Sequence, residues 1–169
     1  MMREEILEAA AQVTSPEDKL GALRECIQAA TLRSLHEAGA FSSLCLTGKA
    51  AERFACGSAD YAEGLDFLLV DKAGYSPEKW LFKAQRYLRF MGLDARIAFA
   101  RKAASHAGWV KVTGLLAEAG LAASAGLSPL PAETIGFRIV IDISPIDAAM
   151  CKVKLADVAG ESFAVRYKS

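Results

Sequence analysis

The sequence lacks any apolar run approaching the ~18 residues of a membrane span. It also lacks the start of a secretory signal, because Met1-Met2-Arg3-Glu4-Glu5 places acids where a cationic end and an apolar core would stand. The expectation is a soluble, cytoplasmic protein that engages no membrane. Net charge is missing too: 20 basic residues balance 20 acidic ones, so no global field draws nucleic acid or an anionic surface. A local basic patch is still open. Cysteine is sparse and scattered as Cys26, Cys45, Cys56 and Cys151, without the paired spacing of a structural zinc site, and a cysteine in an apolar strand or helix serves as a small core residue. There is no internal repeat and no block of like charge.

With 53% hydrophobic and 24% charged residues, the chain belongs with globular proteins and away from disordered ones. Its 169 residues suit a single domain (1–169), with residues 1–14 as an N-terminal helical extension. Ser15-Pro16-Glu17-Asp18 combines an N-cap, a proline at the first helical position and acids in the first turn. Leu20, Leu23, Ile27, Ala30, Leu35 and Ala38 then recur at helical spacing up to Gly39. Leu44-Cys45-Leu46 reads as a short buried strand, and Gly48 as the turn into a brief helix bearing Ala51, Phe54 and Ala55. A second strand covers 66–70. Ser76-Pro77-Glu78 repeats the capping device ahead of a helix that ends at Gly92.

Beyond it the period becomes two, at 95–101, 109–113 and 137–143, with weaker strands at 151–155 and 163–167. The stretch 117–131, rich in Ala, Gly, Ser and Pro, reads as a loop. These elements predict an α+β chain with a mixed or antiparallel central sheet flanked by helices.

Three positions invite chemistry. Gly48, between strand and helix, lets backbone N–H groups approach phosphate oxygens while the helix adds its dipole, although such a glycine also serves as a plain turn. A P-loop around Gly48-Lys49 is excluded by Ser43, where a glycine is needed, and by Ala50, where a hydroxyl is needed. Alternation puts Asp66 on one strand face with Leu68 and Val70, so its carboxylate needs a partner, a metal or a shifted pKa. Asp142 poses the same problem beside Arg138 and Val140, and an Arg138–Asp142 ion pair is the simple alternative to a metal. Lys79, Lys83, Arg86 and Arg89 form a helical stripe that reads either as a solvated face or as an acceptor groove.

The segments Leu35-His-Glu-Ala-Gly-Ala-Phe41, Leu46-Thr-Gly-Lys-Ala-Ala51 and Tyr61-Ala-Glu-Gly-Leu-Asp-Phe67 resemble, in order and spacing, the LxEAGAF, Gly-Gly-Thr-Ala and RFSEDLDF elements of the AbiEii/AbiGii-type toxin nucleotidyltransferases, within the polymerase-β-like superfamily. The segment from Trp109 to Leu121 is similar to that family's GLLxELGL region, and Ile139-Val-Ile-Asp-Ile-Ser-Pro145 to its kIEIDxxPP strand.

The resemblance implies a nucleotidyltransferase-like fold, Mg2+ held by catalytic Asp66 and Asp142, a nucleoside triphosphate held at Gly48 and Lys49, an RNA or protein acceptor, and an antitoxin partner. The departures are Lys49 for the second glycine, Ala50 for the hydroxyl residue and Gly64 for the first acid of the Asp-Leu-Asp pair. Glu63 is the nearest substitute acid, though one residue out of phase. Members usually continue into a helical C-terminal part that supplies a basic residue, so the expectation is a C-terminally short member. Two readings follow: an active Mg2+-dependent transferase of NMP from NTP, or a degenerate relative with impaired or lost transfer that retains nucleotide or partner binding. The altered positions favour the second.

Overall fold

A computed structural model describes residues 2–121, 133–144 and 146–169. The elements run α1 (Arg3–Ala11), α2 (Pro16–Glu37), β1 (Leu44–Thr47), α3 (Gly48–Ala55), β2 (Leu65–Leu69), α4 (Pro77–Phe90), β3 (Asp94–Arg101), β4 (Ser105–Thr113), α5 (Leu115–Glu118), β5 (Thr134–Asp142), β6 (Lys152–Val158) and β7 (Glu161–Tyr167). The Ser15 hydroxyl accepts from the Asp18 N–H, and Pro16 and Pro77 sit at the starts of their helices, but Ser76 makes no side-chain cap bond, so the second capping device works through its proline alone. Of the stretch expected as a loop, 117–118 closes α5 and 122–131 lies outside the described residues.

Seven strands form one sheet in the order β3-β4-β5-β2-β1-β7-β6. The pairs β3–β4, β4–β5, β1–β2 and β6–β7 are antiparallel, whereas β2–β5 and β1–β7 are parallel, so the sheet is mixed. The fold is α+β, a mixed sheet flanked by helices. Among the described residues no helix is long and apolar enough to cross a membrane.

Strand alternation sorts the side chains onto two unlike faces. Leu44, Leu46, Leu65, Phe67, Phe137, Ile139, Phe163 and Val165 form one buried face under the helices, each large side chain contributing about 1.5–3 kcal/mol on burial. The N-terminal residues are part of this core, since Ile6 is fully buried and the Arg3 N–H donates to the Met91 carbonyl. Glu161 at the start of β7, with no exposed surface, ties three elements together. It accepts from Arg33 of α2 at 2.9 Å and from the Tyr87 hydroxyl of α4 at 3.0 Å. The opposite face keeps water: Asp66, Arg96, Lys111 and Arg138 are exposed, and Leu68, Trp109, Val140 and Asp142 are half-buried.

Candidate functional site

The centre of the open face is built by β1, β2 and β5. Thr47 of β1 is the antiparallel partner of Asp66, and Val140 of β5 is its parallel partner. Directly after Thr47 the chain turns through Gly48 at φ +67°, a conformation that favours glycine, and enters α3. A Cβ added at Gly48 would lie 3.5 Å from Asp66 Oδ2, so the carboxylate stands beside the helix N-terminus. Thr47 gives α3 no side-chain cap, which leaves first-turn N–H groups for a ligand or water. Lys49 is exposed and makes no hydrogen bond or ion pair with the described residues.

The segment that delivers Asp66 is held from the helical side. Fully buried Gln28 donates to the Ala62 carbonyl at 3.0 Å. Arg53 pairs with Glu25, donates to the carbonyls of Ser58 and Ala59 at 3.0 Å, and stacks 4.6 Å from the Tyr61 ring centroid. That ring lies over Gly21, where a Cβ would approach it to 2.6 Å, so a glycine on α2 admits the loop. Although Asp66 is exposed as a residue, surrounding protein shields part of its carboxyl from water and raises its pKa, an effect partly offset by the Arg138 guanidinium.

The two expected acids stand on the same face of adjacent strands. Asp142 shares the open face with Asp66 but is the register partner of Leu68, which sets the two Cα atoms about 8 Å apart, one strand across and two residues along. Its carboxylate accepts the Ser144 N–H at 2.9 Å, and this bond within its own turn lowers its pKa. The simple alternative also needs correcting: Arg138 acts on Asp66 and lies 6.0 Å from the Trp109 ring centroid, and it forms no ion pair with Asp142.

Glu63, the possible substitute acid, precedes β2, is exposed, and acts electrostatically on Arg24 of α2. Gly64, at the position of the missing first acid, is a close-packing glycine. A Cβ there would sit 2.9 Å from the Arg138 carbonyl oxygen, so the neighbouring strand occupies the space of a side chain. Val140 of β5 is in register with Asp66, so an apolar side chain stands beside the carboxylate.

The donor set therefore fits a two-metal clamp poorly. Asp66 and Asp142 offer two carboxylates, one oxygen of Asp142 being held by its turn, and among the described residues no three His, Cys, Asp or Glu side chains come together as a metal-holding group. What the arrangement does offer is a glycine turn, an uncapped helix N-terminus and a free lysine, which together suit an anion.

No protein-family model and no curated protein matches the chain. Among solved structures it is similar to the crystal structure of JHP933 from Helicobacter pylori, at a TM-score of 0.48 and 12% identity, over 100% of this chain and 54% of that one. The chain thus spans about half the length of that neighbour.

Proposed function

We propose that this chain is a nucleotidyltransferase-like protein of the AbiEii type that binds a nucleotide through its phosphates and has impaired or lost metal-dependent nucleotidyl transfer. The observation that carries this reading is the uncapped α3 N-terminus at Gly48 with unpaired Lys49 beside it, next to the Asp66 carboxylate, whose register neighbour on β5 is Val140. Phosphate oxygens meet backbone N–H groups and an ammonium there, an arrangement that binds anions without a metal. Turnover would need charge neutralisation on both the attacking and leaving oxygens, for which Asp66 and Asp142 supply two carboxylates where more are required. An antitoxin, or an RNA or protein acceptor, belongs to this reading as a partner.

Calorimetry with a nucleoside triphosphate, with and without magnesium, tests it. Binding is expected without magnesium, to survive Asp66→Ala, and to weaken about tenfold or more in Lys49→Ala as a charge-assisted contact is lost. Binding that requires magnesium and disappears in Asp66→Ala would establish the active transferase instead.

A further inference from the structure

Toward the β3 edge the same open face carries a second feature. Arg96 and Lys111 are directly opposed partners in the β3–β4 ladder, and both are exposed. Like charges at opposed positions weaken an antiparallel pair, yet neither side chain makes a hydrogen bond or ion pair with the described residues. Among the described residues the nearest acid on that face is Asp94, two residues before Arg96 on β3, and it forms no ion pair with either cation. One register step away on that face lies Trp109, paired across the ladder with Ala98 on one side and Arg138 on the other.

A cleft of about 410 Å³ opens here, walled by Arg89, Arg96, Trp109 and Lys111 together with Gln85, Ile97 and Ala98, and among the described residues no carboxylate lines it. From Arg89 the exposed stripe Lys79, Lys83 and Arg86 continues along α4. Exposed Glu78 and Asp94 stand outside this lining, so the excess of positive charge is confined to the cleft walls and the stripe.

We propose that this cleft binds a single-stranded polynucleotide, with a base stacked on Trp109 and phosphates met by Arg96 and Lys111, the α4 stripe extending the track. A half-buried indole between cations is what base stacking with backbone neutralisation requires. An acidic peptide would use the cations alone, whereas a base can stack on the indole, whose ring already carries the Arg138 guanidinium 6.0 Å from its centroid. The inference deepens the RNA-acceptor part of the reading above and rests on it for its role, while the binding itself does not require the phosphate site at Gly48.

The test is fluorescence titration of the full chain with an oligothymidylate of about 12 nucleotides, across salt concentrations. Trp80 is only 6% exposed, so quenching reports on Trp109. Quenching is expected to saturate, and affinity measured by anisotropy of a labelled strand to fall at least about fivefold in Trp109→Ala. The double variant Arg96→Gln/Lys111→Gln is expected to reduce the log–log salt slope by about 1.4. Its urea midpoint should equal or exceed that of the parent, because a repulsion is removed, and this separates binding from folding.

Three outcomes each overturn the proposal: no binding at low salt, binding unchanged in both variants, or tighter binding of a poly-glutamate peptide than of the strand. Oligonucleotide binding retained in Lys49→Ala and Asp66→Ala keeps this inference distinct from the fate of the phosphate site.

Discussion

Gly64→Ala is a small substitution whose cost can be worked from the fold. The added methyl would stand 2.9 Å from the Arg138 carbonyl oxygen, about 0.5 Å inside ordinary contact, and the obstacle is backbone in a paired strand rather than a flexible side-chain tip. Overpacking of this kind costs about 1–3 kcal/mol. Stiffening of the unfolded chain returns about 0.4–1 kcal/mol when glycine becomes alanine. The net expectation is a loss of roughly 0.5–2 kcal/mol, or about 1–8 °C in Tm for a chain of this size.

Urea unfolding followed by fluorescence measures it as a lower midpoint at unchanged slope. Gly64→Asp, which restores the acid of the resembled motif, is expected to lose at least as much stability and to gain no magnesium-dependent nucleotide binding, since β5 must move to admit the side chain. A Gly64→Ala protein as stable as the parent would refute the close-packing account, and with it the idea that β5 closes the first-acid position.

Asp66→Asn tests the desolvated carboxyl through pH. A folded pKa raised above the ordinary value of about 3.9 means that the ionised form costs stability at neutral pH, and that this cost disappears as pH falls through the folded pKa toward the unfolded one. Asp66→Asn is therefore expected to be at least as stable as the parent near pH 7, with the difference closing below about pH 4; a neutral-pH loss would contradict it. Glu161→Ala should destabilise by about 2–4 kcal/mol in urea titrations, less than a fully buried pair because Arg33 remains 37% exposed and can rehydrate. Asp142→Asn keeps an oxygen for the Ser144 N–H and should leave stability and nucleotide binding unchanged, whereas Asp142→Ala costs about 0.5–1.5 kcal/mol. A selective loss of nucleotide binding in Asp142→Asn would return that residue to the site.

The sequence alone determined the elements. Ser15-Pro16 and Ser76-Pro77 start their helices, Gly48 turns β1 into α3, and the two-residue period beyond residue 94 marks the later strands, because capping, glycine freedom and alternation act over a few residues. It also separated Asp66 from the Leu65, Phe67 and Leu69 face of its strand, but read the acid as inward-facing among apolar neighbours, whereas the fold leaves it exposed. Tertiary structure decided which strands meet. The parallel β2–β5 pairing set Val140 beside Asp66, offset Asp142 by two residues and drove the Arg138 carbonyl into the space above Gly64. The β3–β4 register opposed Arg96 to Lys111 beside Trp109. None of these juxtapositions has a local signature, since strand register is fixed by contacts between residues far apart in the chain.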